Sequence, residues 1–435
     1  MHWLPGAARD SLAPPSLPAL PPMHLLHGCF ALLLLLGVAL LLSEDRRAIA
    51  PRPVLAGLAL QAALAILLLK VPAAAGLMGW LAGGVGALDH ATEAGTRFVF
   101  GYVGGAEAPF DLNGKGSPLV LAFRVFPMIL VVCALASLLF HWGVLQRVVA
   151  GMAFVLRRTM GIGGALGTGA AVNVFVGMVE APILVRPYLA NMRRGELFTL
   201  MSVGMAGIAG TVMAIYGHIL GPVLPDAFAH IITAALISAP AAIALAAIMS
   251  PFPPQAGPDL PLVLADPPRN ALEAISRGTG DGIVILANVL ASIVVLLALV
   301  ALVNSALGAL PDVLGAPLSL ERMFSWIFWP FAWLIGVEAA DLGPAARLLG
   351  EKTVLNEFVA FLDLAREGAL SPRSRLILTY ALCGFANFGS LGIMVGGLSA
   401  MAPERKHDII AMSFRALIAG TLASLMGGAL IGALT

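Results

Sequence analysis

Along the chain, long apolar windows alternate with short breaks of arginine, glycine and proline. Eight windows are long enough to cross a bilayer, at about 24–43, 54–71, 118–142, 197–221, 227–250, 282–305, 374–399 and 408–434, since roughly 20 apolar residues span a ~30 Å hydrocarbon core. The pattern predicts an all-α polytopic membrane protein with eight transmembrane helices. Residues 74–100 mix glycine with Asp89, His90, Glu93 and Arg97, which suits a helix lying at the interface. Two more stretches, 161–190 and 337–368, are apolar but interrupted by glycine, proline and a carboxylate. They read as re-entrant hairpins, because irregular backbone survives at membrane depth only where protein or water satisfies it.

Each hairpin stretch contains an acid in apolar surroundings: Glu180 in "FVGMVEAP" (175–182) and Glu357 in "LNEFVAF" (355–361). A carboxylate at mid-bilayer costs roughly 2.5–3.5 kcal/mol even on the lenient insertion scale. Each is followed, at a similar interval, by a glycine cluster inside an apolar span, "GMAGIAGT" (204–211) and "GFANFGSL" (384–391). Glycine clusters let a helix unwind, although small residues alone also let helices pack closely. Two clusters, each paired with a hairpin acid, favour unwinding. In the eight-span topology the hairpins enter from opposite sides. That is the inverted-repeat plan of secondary transporters, whose solute site lies at the repeat interface, and it predicts that both acids converge on one central polar site.

This divides the chain into an N-terminal extension (1–22), scaffold helices with an interfacial helix (23–160), a first transport repeat (161–250), a linker (251–270), a scaffold and interfacial helix (271–336) and a second transport repeat (337–435). The proline-rich extension reads as flexible, or as a start placed upstream of Met23. The apolar run after it reads as a transmembrane helix rather than a cleaved leader, because Arg46, Arg47 and Arg52 follow it instead of preceding it. Arginine-bearing loops on one side orient both termini outward, with Arg347, Lys352, Arg366, Arg373 and Arg375 as exceptions to the rule.

Composition agrees with a membrane protein and removes other classes. The chain is 59% hydrophobic and only 11% charged, against about 25% charged in soluble domains. A net charge of +1 without basic runs gives no reason to expect nucleic acid. Cys29, Cys133 and Cys383 lie in apolar segments without metal-ligand spacing, and HExxH, CxxC, P-loop and GxSxG patterns are absent from the sequence. An enzyme is not expected.

The polar inventory of the proposed centre is short. The first hairpin supplies Asn173 and Glu180, and the first broken helix Thr211. The second hairpin supplies Asn356 and Glu357, and the second broken helix Asn387 and Ser390. These groups exchange hydrogen bonds with the hydroxyls of a polar solute, while Phe385 offers a flat face for a planar ring. Unwound carbonyls near Val176 and Thr211 suit a hard monovalent cation. The single histidines His141, His218 and His230 read as structural or interfacial.

"LLSEDRRAI" (41–49), "NVFVGMVEAPILVRPYL" (173–189), "GMAGIAGTVMAIY" (204–216), "LNEFVAF" (355–361), "LSPRSRLILTYALCGFANFGSLGIMVGGLSAMAPER" (370–405) and "RALIAGTLASLMGGALIGAL" (415–434) resemble the concentrative nucleoside transporters, in one register from about residue 23 to the end. The resemblance implies eight core helices, two opposed re-entrant hairpins, interfacial helices, a homotrimer in the cytoplasmic membrane and inward nucleoside movement coupled to sodium or, in some members, protons. It further implies that Glu357, Asn387 and Ser390 hold the ribose and that Phe385 lies near the nucleoside. Gly177, Met178, Val179 and Glu180 would face the base. Asn173, Val176, Thr211 and Val212 would ligate sodium, with threonine where the family commonly has serine. The tip reads "GMVE" where the family usually has Gly-Gln-Thr/Ser-Glu, and Gly389 stands where serine is frequent. Each hydrogen bond lost to Met178 and Val179 is worth about 0.5–1.5 kcal/mol net, so altered base selectivity is expected. The alternatives are a symporter of another small polar metabolite on the same frame, a passive channel and a receptor.

Overall fold

The structure, a computed structural model, describes residues 22–110, 120–178, 180–253, 268–313 and 315–435, without the side chains of Pro22, Ala75, Glu180, Ile183 and Thr211. The N-terminal extension up to residue 21 and the body of the linker, 254–267, therefore lie outside the described residues. Among the described residues the fold is all-α, with a lone bridge between Val313 and Ala316 in place of any strand.

The chain opens with α1 (Pro22–Leu41), α2 (Pro51–Lys70) and α3 (Pro72–Phe100). Proline at the first turn of α2 and of α3 starts each helix where a missing N–H costs nothing. Residues 74–100, expected as a helix lying at the interface, are helical and belong to α3. A single turn, α4 (Leu121–Arg124), leads into α5 (Met128–His141), followed by α6 (Val144–Met160).

The first hairpin comprises α7 (Gly164–Asn173), α8 (Glu180–Leu184) and α9 (Arg186–Leu189). The span expected at 197–221 is two helices, α10 (Arg194–Ala206) and α11 (Gly210–Leu220), broken within the glycine cluster. The continuous α12 (Ala227–Met249) closes this half.

The second half repeats the order. It begins with α13 (Ala271–Leu307) and α14 (Leu320–Leu334). The hairpin α15 (Leu342–Val354) and α16 (Glu357–Arg366) comes next, then the broken pair α17 (Pro372–Leu382) and α18 (Phe388–Met401), and finally α19 (Lys406–Leu434). All eight expected spans are present. Among the described residues, six are long and apolar enough to cross a membrane, one of them being α4 and α5 taken together, and two are interrupted in mid-span. The window expected at 282–305 extends to 37 residues in α13, or about 55 Å at ~1.5 Å per residue. That exceeds a ~30 Å core and requires tilt or protrusion.

Packing sorts these elements into two groups. Of the apolar windows of α12 and α19, 89% and 83% respectively lie inside the protein, whereas only 6% of that of α13 does. α12 and α19 pack on each other and on α10, and α19 also on α17, which makes them the core around which the breaks are arranged. α13 packs chiefly along α5 and leaves apolar side chains such as Val294, Leu299 and Leu302 exposed on its outer face.

Candidate functional site

The two helix breaks cross. The N–H of Phe385, in the second break, donates to the carbonyl of Gly207, in the first, at 3.0 Å. Gly384 permits the approach: a Cβ built there would lie 2.6 Å from the Ala206 carbonyl oxygen, closer than real side chains tolerate. The glycines that suggested unwinding thus also let the unwound backbones touch. The Phe385 N–H and the Gly207 carbonyl, both freed by the breaks, are thereby paired with each other, as burial in an apolar environment demands.

Beside the crossing lies a cavity of about 270 Å³, near the lower end of the roughly 300–1,000 Å³ usual for small-molecule sites. Both hairpin tips line it, Gly177 and Met178 from the first and Asn356 and Glu357 from the second. Gly177 turns the first tip at φ 122°, a conformation that side chains disfavour. The second tip is closed by Asn356, whose side-chain oxygen caps α16 by accepting from Val359 N–H at 2.9 Å. Asn356 is therefore occupied in holding Glu357 at the first position of its helix.

Glu357 is 5% exposed, and both its oxygens are engaged. Tyr216 Oη of α11 donates to Oε1 at 2.7 Å, and Asn387 Nδ2 donates to Oε2 at 2.9 Å. Asn387 also caps α18, its Oδ1 accepting from Ser390 N–H at 2.7 Å. One amide thus fixes both the carboxylate and the start of the second half-helix. Each carboxylate oxygen retains a further lone pair for a donor on a solute. Phe385, Asn387, Gly389 and Ser390 complete this side of the cavity.

Of the residues expected to touch a solute, Gly177, Met178, Glu357, Phe385, Asn387 and Ser390 share this cavity. Val179 and the side chain of Glu180 lie outside the described residues, although Glu180 begins α8 immediately behind the tip. Of the residues expected to ligate a cation, Asn173 is buried and donates Nδ2 to the Val203 carbonyl at 3.0 Å, in the last turn of α10. Val212 lines the cavity, Val176 follows in the turn after α7, and the Thr211 side chain is outside the description. The Phe175 carbonyl accepts the N–H of Gly210 at 3.0 Å, tying the first tip to the start of α11.

Three polar residues of the cavity wall escaped the sequence reading: Tyr216 of α11, and Asn288 and Ser292 of α13. Asn288 and Ser292 are four residues apart, so they share one face of a membrane helix. Two polar groups at that spacing in an apolar span were a legible signal.

Family models match three adjoining parts of the chain: "Na+ dependent nucleoside transporter N-terminus" over residues 30–103, "Nucleoside recognition" over 122–223, and "Na+ dependent nucleoside transporter C-terminus" over 230–432. An "Uncharacterized transporter" of Haemophilus influenzae is 37% identical over 419 residues, covering 94% of this chain and 98% of its own. The mouse "Solute carrier family 28 member 3" is 36% identical over 406 residues, covering 88% of this chain, which spans only 55% of that longer protein. Among solved structures, CNTnw in an inward-facing substrate-bound state superposes with a TM-score of 0.86 at 35% identity, covering 95% of this chain and 100% of its own.

Proposed function

The chain belongs to the Na+-dependent nucleoside transporter family, and from that premise we propose that it is a cation-coupled symporter importing nucleosides across the cytoplasmic membrane by alternating access. The observation that carries the reading is Glu357, a nearly buried carboxylate held by Tyr216 and Asn387 on the wall of a cavity that both hairpin tips line. A purely structural acid so placed would bear a desolvation cost that its two donors only partly offset; one that also accepts hydrogen bonds from ribose hydroxyls has a use.

In this mechanism Glu357, Asn387 and Ser390 take the sugar and Phe385 stacks on the base, while Gly177, Met178, Val179 and Glu180 face the base edge. Sodium is cargo alongside the nucleoside, bound by Asn173, Thr211 and the carbonyls of Val176 and Val212. The last-turn carbonyls of α10 present the negative end of a half-helix there. The cation drives uptake only through differential affinity: its binding must favour the arrangement of the first tip and α11 that binds solute. The hairpin-bearing helices then move against α5 and α13, opening the cavity inward. The outward apolar face of α13 suits a homotrimer contact.

Met178 in the tip supports a second reading, a solute whose ring edge is less polar than a common nucleobase, carried on the same frame. Uptake of a radiolabelled panel of nucleosides and other small polar metabolites into proteoliposomes, under imposed sodium, proton or choline gradients, separates the readings. Accumulation of a nucleoside above equilibrium under a sodium gradient is the expected result. Equilibration without accumulation indicates a channel, and binding without flux a receptor. No nucleoside uptake under any gradient rejects the proposal.

A further inference from the structure

The two repeats contain matching buried clusters that differ in one charge. In the first, Asn173 ends α7 and donates Nδ2 to the Val203 carbonyl in the last turn of α10, at 3.0 Å. Where α10 stops, a Cβ on Gly207 would lie 3.1 Å from Asn173 Nδ2 and 3.7 Å from Ser238 Oγ of α12. Ser238 donates to the carbonyl of Ala235, three residues back, at 2.8 Å. In the second, Lys352 in the last turn of α15 donates Nζ to the Ala381 carbonyl in the last turn of α17, at 2.9 Å. It also donates to Ser424 Oγ of α19 at 2.8 Å, and Ser424 donates to the carbonyl of Thr421, again three residues back, at 3.0 Å. In both repeats, therefore, a hairpin side chain donates to a last-turn carbonyl of the half-helix, with a serine of the closing helix close by.

The C-terminal end of a helix carries roughly half a negative charge, and in transporters such ends of broken helices attract cations. The first repeat meets its end with a neutral amide; the second meets it with an ammonium group that is 2% exposed, in a setting where an unneeded charge is costly. Only the second holds a full positive charge at its helix end.

We propose that Lys352 is a tethered cation, filling in the second repeat the place that the transported ion takes in the first. The assignment rests on the preceding reading of the Asn173 cluster as the ion site. It has two consequences. The intact protein moves the charge of a single coupling ion with each solute. Removing the ammonium exposes the Ala381 carbonyl and the Ser424 hydroxyl, oxygen ligands of the kind that hard cations take, so a second sodium site appears.

The test uses the full chain. Thermal unfolding in detergent is followed while sodium chloride replaces choline chloride at fixed ionic strength, for wild type, Lys352→Ala and Lys352→Arg, and the charge moved per nucleoside is measured for wild type in proteoliposomes. Wild type and Lys352→Arg should show one saturable sodium response with a Hill coefficient of about one, and Lys352→Ala should be less stable without sodium and regain stability with a coefficient rising toward about two. A wild-type sodium curve in Lys352→Ala overturns the proposal, as does a wild type that moves two charges per nucleoside. The charge ratio and Lys352→Arg decide the matter if Lys352→Ala does not fold. A wild type with no sodium response defeats the transporter reading and this assignment together, whereas a normal wild-type response beside an unaltered variant defeats the assignment alone.

Discussion

Tyr216 Oη reaches Glu357 Oε1 across 2.7 Å, joining the second half of one broken helix to the tip of the opposite hairpin. Tyr216 is itself 2% exposed and packs its ring against Phe361, centroid to centroid at 4.7 Å. The phenol therefore has a fixed direction before any solute arrives. We predict that Tyr216→Phe keeps the fold, because the ring packing survives, but leaves a buried carboxylate oxygen short of a donor. Such a loss costs about 1–3 kcal/mol, read here as a roughly fivefold or larger rise in KM for uptake. Glu357→Gln should abolish uptake outright. An unchanged KM in Tyr216→Phe would show that the phenol does not position the acid.

The base-facing tip makes a separate prediction. Met178 lines the cavity with a thioether where an amide side chain would present both a donor and an acceptor. Met178→Gln together with Val179→Thr should shift the order of preference among purine and pyrimidine nucleosides by about tenfold in relative kcat/KM, one or two hydrogen bonds' worth. Competition uptake across a nucleoside panel measures it. An unaltered order would mean that the base lies elsewhere.

Much of this arrangement was legible in the sequence because it is expensive. Glu357 in an apolar stretch, and glycine clusters inside otherwise regular spans, break local rules, and such breaks in a membrane segment mark function. The positions of both helix breaks followed from that logic. Tyr216 and Lys352 did not. A tyrosine in a membrane span breaks no rule. Lys352 read as one of several charges that defied the orientation pattern, because nothing in the linear order shows that it meets Ala381 and Ser424, 29 and 72 residues away. Pairings across such separations are a property of the packed repeats.

Gly384 tests the crossing itself. Because a Cβ there would come within 2.6 Å of the Ala206 carbonyl oxygen, which is backbone and has little room to yield, Gly384→Ala must push the two breaks apart. Overpacking of this kind costs typically ~1–3 kcal/mol, and the displacement also pulls Phe385 and Asn387 away from the cavity. Both a lower melting temperature and loss of uptake are expected. Gly392→Ala, where a Cβ has open space around it, should leave both close to wild type. Equal behaviour of the two variants would show that the breaks do not touch.

Away from the cavity, Glu44 makes a contribution to stability that acid removes. It lies in the loop after α1, where its Oε1 accepts from Arg194 at 3.2 Å and from Arg415 at 2.6 Å, and its Oε2 accepts from Ser250 at 2.8 Å. One carboxylate thus ties that loop to the start of α10, the end of α12 and α19. Burial by itself pushes its pKa up. The hydrogen bonds from Ser250 and Arg194 and the charges of Arg415 and Arg194 outweigh that and hold it below the ordinary value of 4.5. The folded state therefore binds the proton less tightly than the unfolded one. The stabilisation is complete above pH 4.5 and is lost as pH falls through the depressed folded value. Glu44→Gln removes the ionisable group, so its melting temperature should be below wild type at pH 7, and the gap should close as both proteins are acidified through the depressed folded value. Because the site is partly open to solvent, high salt should also narrow the gap at neutral pH. A gap that stays constant across the acid range would place the effect in packing rather than in the charge of Glu44.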